Sequence, residues 1–348
     1  GHRRSYAVDK KEIPSNHLFQ DMIFTISALK PKMFLFENVR GILSARWEEE
    51  SKKGSIWLDI RNEFKAHFDD DYYMGWHLVR ASEYGVPQNR PRVLLVGLRK
   101  NLGWSAKSAN LDNEKLLFNC NDHRAGGLLP QPQENPPSLE DLLGDLIDPD
   151  YTPGQEATNQ YKHPAKKSNI KGKPSAQQTL RLQKDKKSSA KVNHPLTEHE
   201  YSKHSKNIIE KFTYMIQHEG QIPEKFKTKK FAQRVLPRTW KNGQPSITAT
   251  SLPDDYVHFE QPRILTVREW ARLQMFPDWY QFAGKRTTGG TRRAGNPLEN
   301  NFDREVPKYT QIGNAVPVQM AYYVGRHFLN LLNETEDKAC EVESMIEA

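Results

Sequence analysis

The sequence predicts an α/β fold: an open, mostly parallel sheet covered by helices, joined to a second, irregular module. Three observations carry this. Apolar residues recur at helical spacing in two stretches of the first hundred residues, short apolar runs alternate with them, and the periodicity then weakens from about Lys100 to Pro262. At 348 residues the chain is long enough for two domains and a sizeable core.

The elements follow in order. Leu18, Phe19, Met22, Ile23, Ile26 and Leu29 fall on a helix, with Ser15 or Asn16 as candidate caps and Pro31 as its stop. Met33-Phe34-Leu35-Phe36 is short and uniformly apolar, which predicts a strand buried on both faces, as parallel sheets require. Trp57, Ile60, Phe64 and Phe68 mark a second helix, and Tyr72 to Val79 and Val93 to Gly97 read as strands joined by a loop holding Gly85, Pro87 and Pro91. In the middle, Ser138 caps a short helix, and Phe231 to Leu236 and Ser246 to Thr250 could be short strands. Thr266 and Glu269 have capping-box spacing at the start of a helix that ends near Phe276-Pro277, and a last helix runs from about Val318 to Leu332.

Composition excludes several classes. No apolar run approaches the ~20 residues of a membrane span, and the amino terminus has no signal-like apolar core. Mean hydropathy is −0.81. Two isolated cysteines, Cys120 and Cys340, supply neither a disulfide framework nor a metal knuckle, so a reducing, cytoplasmic setting and no metal are expected. The net charge of +8 is concentrated between Tyr161 and Val192, where ten Lys and Arg face one acid, Asp185. That stretch reads as a basic loop, either a solvated linker or a phosphate-binding arm. Residues from Glu334 onward form an acidic tail expected to fray. The Gly/Arg-rich stretch 285–304 reads as a flexible loop or a backbone-phosphate contact.

Three constellations could carry chemistry. Glu37 and Asn38 end the apolar strand, where open α/β sheets place functional groups. A carboxylate held there by apolar walls would act as a general acid; in water it would be an ordinary surface group. In Gln88-Asn89-Arg90-Pro91-Arg92 the two arginines would point the same way on an extended chain and could grip an anion or a planar carbonyl, or brace a strand edge. Gly313-Asn314-Ala315-Val316-Pro317 is a turn that lets backbone approach a ligand.

Together these stretches resemble the cytosine-5 DNA methyltransferases. The matching text is Phe36-Glu37-Asn38-Val39 (sixth motif of that family), Gln88 to Arg92 (eighth), Arg263 to Pro277 (ninth) and Gly313 to Pro317 (tenth), spanning about residues 9–100 and 232–332. The resemblance implies the carboxyl-terminal part of a class I, Rossmann-like S-adenosylmethionine-dependent sheet. Residues 1–100 would form a partial catalytic domain, 101–262 a target-recognition domain with the basic loop 161–192, and 263–333 helices returning to the catalytic domain.

It implies methyl transfer from S-adenosyl-L-methionine to carbon 5 of a flipped cytosine in a specific sequence of double-stranded DNA. It assigns Glu37 to ring nitrogen 3, Arg92 supported by Arg90 to the carbonyl at carbon 2, and supporting roles to Asn38 and Gln88. Leu18, Asn314 and Val316 would line the cofactor pocket. The family's Pro-Cys nucleophile is not among these residues, because Cys120 follows Asn119 and Cys340 follows Ala339. The chain alone is therefore expected to be inactive and to need a missing amino-terminal half, either on a second polypeptide or lost by truncation. A non-catalytic DNA-binding or specificity subunit, a remnant, and an RNA cytosine methyltransferase are the alternatives. The setting would be the cytoplasm, on the nucleoid if the source is bacterial.

Overall fold

The computed structural model describes residues 17–102, 111–119, 124–133, 135–154, 196–227, 233–237, 255–287 and 305–346. In chain order the helices and strands are α1 (Leu18–Leu29), β1 (Met33–Val39), α2 (Ser55–Phe68), β2 (Tyr72–Arg80), β3 (Pro91–Arg99), α3 (Asn113–Phe118), α4 (Leu139–Leu143), α5 (Lys206–Gln217), β4 (Arg234–Val235), β5 (Tyr256–Val257), α6 (Val267–Leu273), α7 (Lys308–Asn314) and α8 (Val318–Ile346). The candidate caps Ser15 and Asn16, Cys120, the basic stretch 161–192, the expected strand 246–250 and most of 285–304 lie outside the described residues.

The chain divides into two compact units, one of residues 1–80, 91–133 and 322–348, the other of 81–90 and 134–321. This division falls differently from the boundaries drawn on the sequence: residues 101–133 belong to the first unit, and α6 and α7 to the second.

In the first unit the sheet has the order β1-β3-β2, and β3 is antiparallel to both neighbours. The expectation of a mostly parallel sheet is therefore corrected for the described strands. β1 and β2 run the same way with α2 between them in sequence, so the text alternates as a parallel fold does. β3 then reverses and separates them. Nor is β1 buried throughout: Phe34 is 6% exposed, but Leu35, on the opposite face, is 36% exposed.

Phe34 and Phe36 meet Phe64 of α2, each at a ring separation of 5.7 Å, and Phe34 also meets Tyr72 edge-on at 5.2 Å. The Phe34 ring lies over Gly97, where any Cβ would stand 2.1 Å from it, which is why β3 carries glycine there. Phe19, Ile23 and Ile26 of α1 complete this core. α1 stops at Leu29, with Lys30 in the left-handed region (φ 43°) just before Pro31. Buried Asn113 binds β2 through its side chain, accepting from the Met74 N–H at 2.7 Å and donating to the Tyr72 carbonyl at 2.8 Å.

The second unit is built around α6, every residue of which is buried. The capping box read from the sequence is present, with Glu269 N–H donating to Thr266 Oγ1 at 3.2 Å and Thr266 N–H donating to Glu269 Oε2 at 2.8 Å. The same carboxylate takes both Nη groups of Arg263, at 2.7 and 2.8 Å. Arg272 lies between Asp145 and Asp278, with Nη1 to Asp145 Oδ1 at 2.5 Å and Nη2 to Asp278 Oδ2 at 2.6 Å. Leu139, Leu142 and Leu143 of α4 pack with Val267, Trp270 and Ile312, and Ser138 caps α4 as expected. α6 ends at Leu273, a turn before the expected Phe276-Pro277, because Met275 reverses the chain at φ 62°.

α8 continues to Ile346, so the acidic tail is helical where fraying was expected. Residues 334–346 contain neither Gly nor Pro, and Glu, a strong helix former, is their commonest residue.

His199 makes the second unit sensitive to acid. Its ring is buried between Thr266 Oγ1 at 3.0 Å and the Leu146 carbonyl at 3.1 Å, and burial pushes its pKa down to about 4, with Arg263 adding to the effect and Glu269 opposing it. An unfolded histidine takes a proton near its ordinary value of about 6.5. Between those values the unfolded chain holds more protons, so stability falls as pH falls from 6.5 towards 4. In urea titrations His199→Gln should flatten this dependence by up to one proton, about 1.4 kcal/mol per pH unit. An unchanged slope would contradict the assignment.

Candidate active site

Each expected site residue has a definite place. Glu37 and Asn38 are within β1, two and one residues from its end. Glu37 stands opposite Leu94 and Arg92 opposite Val39, so Glu37 and Arg92 are diagonal neighbours on one face of the β1–β3 ladder. Arg92 Nε donates to Glu37 Oε1 at 2.6 Å, and Nη1 donates to the Pro91 carbonyl at 2.9 Å. The Glu37 side chain is 32% exposed and that of Arg92 14% exposed. The carboxylate therefore faces a guanidinium and solvent in place of the apolar walls considered for it. Burial lowers the Arg92 pKa from the ordinary guanidinium value, and Glu37 opposes that shift. Asn38 turns its Oδ1 back to accept from the Val39 N–H at 2.9 Å.

Arg90 does not run alongside Arg92. It precedes β3 with φ 26°, outside the extended region, and its side chain is buried among residues of the second unit. There Nη2 donates to the carbonyls of Gly313 at 2.7 Å and Ala315 at 2.8 Å. The expectation that both guanidiniums share one direction fails because the strand begins only at Pro91. Gln88 is also fully buried, and its Nε2 donates to the Leu273 carbonyl at 3.1 Å and to Gln274 Oε1 at 2.9 Å.

Asn314 ends α7 and Val316 follows it, both exposed, whereas Gly313 and Pro317 are buried. Leu18 opens α1 and is 61% exposed. The structure thus brings Glu37 and Arg92 together in the first unit, and Gln88 and Arg90 together with the 312–317 turn in the second. Gln274 is the participant not singled out from sequence, although it lies in the ninth-motif stretch 263–277. Its position in a stretch of apolar and charged neighbours gave no sign that its amide is buried.

Among the described residues, no group of three or more His, Cys, Asp or Glu side chains is placed to hold a metal ion, and no helix is long and apolar enough to cross a membrane. A cavity of about 310 Å³ in the second unit is lined by Glu198, Phe282, Arg286 and Lys308 but by none of the site residues above.

A partly exposed ion pair such as Glu37–Arg92 contributes about 1 kcal/mol or less to folding. Glu37→Gln should accordingly leave the urea midpoint almost unchanged. A loss of several kcal/mol would make Glu37 a structural residue.

With this geometry in place, comparison with known proteins identifies its kind. The chain is 28% identical to type II methyltransferase M.Bpa9945I of Bacillus paralicheniformis, over 91% of this chain and 64% of that protein. It is 27% identical to type II methyltransferase M.DdeI of Desulfomicrobium norvegicum, over 94% and 71%. It therefore spans about two thirds of the length of these relatives. A crystal structure of a protein encoded within an E. coli prophage superposes with a TM-score of 0.59 at 22% identity, covering 92% of this chain and 75% of that one, which shows a shared fold. The match to the family described as C-5 cytosine-specific DNA methylase runs over residues 5–330. It crosses the middle that the quoted motifs left unmatched, so the likeness is not confined to a carboxyl-terminal set of motifs. The chain belongs to the C-5 cytosine-specific DNA methylase family.

Proposed function

We propose that this chain carries the base-activating part of a DNA cytosine-5 methyltransferase that uses S-adenosyl-L-methionine. The observation that supports this most is the Glu37–Arg92 pair. Arg92 fixes one carboxylate oxygen through Nε at 2.6 Å. The carboxyl group can then present its other oxygen to ring nitrogen 3 of an extrahelical cytosine, while the guanidinium reaches the carbonyl at carbon 2. A proton held at nitrogen 3 draws electron density from the ring and makes carbon 6 open to a nucleophile. Asn38, bonded back to Val39, would hold the end of β1 on which Glu37 sits.

S-adenosylmethionine would supply the methyl group. In the second unit Val316 offers exposed apolar surface suited to a purine ring, and Asn314 an exposed amide suited to hydrogen bonding. The middle of the chain, including the basic stretch 161–192, would be the target-recognition region that contacts double-stranded DNA.

The 348 residues contain no Pro-Cys pair, so the thiol would come from a segment outside them, in the same polypeptide or a second one. Two features of the first unit support such a complement. β1 is hydrogen-bonded to a strand on one side only among the described residues. On α1, Leu18, Phe24 and Leu29 are 61%, 75% and 73% exposed.

Methyl transfer by the assembly that carries the Pro-Cys turn, measured beside DNA affinity, tests the reading. Glu37→Ala should lower turnover by roughly 10²–10⁴-fold and leave DNA affinity almost unchanged. Equal, measurable turnover in variant and wild type would overturn the role of Glu37, DNA binding without turnover in either would favour a DNA-binding module without catalysis, and preference for RNA in competition would redirect the substrate class.

A further inference from the structure

α6 closes with a hydrogen-bonded reversal in which the Met275 N–H donates to the Arg272 carbonyl at 2.8 Å and the Phe276 N–H to the Ala271 carbonyl at 3.0 Å. The reversal fixes Gln274, whose side chain is fully buried. Its amide is used at both ends. Oε1 accepts from Gln88 Nε2 at 2.9 Å, and Nε2 donates to the Ile312 carbonyl at 2.8 Å. Its backbone carbonyl accepts from the Val318 N–H at 3.1 Å. Turning the amide over would set amino group against amino group and oxygen against carbonyl, so the network admits one orientation.

Arg90 grips the same turn through the carbonyls of Gly313 and Ala315. The carbonyls of Ile312 and Gly313 belong to the last turn of α7, where a cation is favoured; that of Ile312 also accepts from the Ala315 N–H at 3.2 Å. All these contacts reach the turn from its buried side, while Asn314 and Val316 are exposed.

We infer that Gln274 is a positioning residue that, with Gln88 and Arg90, holds the 312–317 turn in the conformation that presents Asn314 and Val316. The inference rests on the reading above that these two residues face S-adenosylmethionine. Gln274 would act through the turn, without touching the cofactor.

Two measurements separate the clasp from the reading beneath it. Hydrogen exchange on the full chain reports the turn itself, and the KM for S-adenosylmethionine in the methyl-transferring assembly reports its use. Gln274→Glu keeps the acceptor for Gln88 but places a carboxylate oxygen against the Ile312 carbonyl, and Gln274→Met removes both bonds without adding a charge. Should the first fail to fold, the second carries the test. Each should raise exchange at the Ala315 and Val318 amides by roughly tenfold or more, and the cofactor KM by about tenfold, with kcat and the KM for DNA changed by less than about threefold. Asn314→Ala should raise the cofactor KM without changing exchange. Wild-type exchange in Gln274→Met would overturn the clasp. Loosened exchange in the Gln274 variants, with the cofactor KM unchanged both in them and in Asn314→Ala, would overturn the assignment of the turn to the cofactor.

Discussion

A guanidinium removed from water must find an anion or a carbonyl for its donors, or the cost of burying it exceeds what packing returns. The second unit of this protein is arranged around meeting that demand at Arg90, Arg263, Arg268 and Arg272, each at most 1% exposed. Arg272 takes two carboxylates and Arg263 takes one, while Arg268 takes the carbonyls of Thr197, Pro277 and Tyr280. Each pairing joins α6 to a segment distant in sequence, to the residues that lead into it or to the turn that follows it. A helix spelled Val-Arg-Glu-Trp-Ala-Arg-Leu can be wholly buried only because its charges are matched in this way. Arg90 extends the same logic to the carbonyls around Asn314, so the electrostatics that stabilise the unit also shape a candidate ligand-facing turn.

The first unit solves a different problem. Its aromatic core draws β1, α2 and β2 together, and β3 enters between the two parallel-running strands in the opposite direction. That reversal sets the register in which Arg92 lies diagonal to Glu37. Swapping the strand order would separate the pair, so the chemistry proposed for Glu37 depends on topology as much as on residue identity. A pair this exposed is worth about 1 kcal/mol or less to folding, which is compatible with the role proposed for it.

Features that depend on neighbouring residues were legible in the sequence. The Thr266–Glu269 capping box, the Ser138 cap and the apolar face of α2 all follow from spacing within a single helix. Glu37 and Arg92 were legible as candidates through the family resemblance, but their direct contact was not, since it requires the β1–β3 register. Parallel pairing was expected because βα alternation was read without knowing that β3 turns back. Arg90 was misread for a local reason: one residue at φ 26° before a strand redirects a side chain, and no periodicity reports it. The helical tail beyond Leu332 was missed because charge was weighed above helix propensity.

The central claim is that this protein's chemistry is directed at carbon 5 of cytosine in DNA. Nucleoside mass spectrometry of DNA treated with the methyl-transferring assembly and S-adenosylmethionine bearing a deuterated methyl group tests it most directly. The account predicts label in 5-methylcytosine alone. Label in N4-methylcytosine or N6-methyladenine would contradict it.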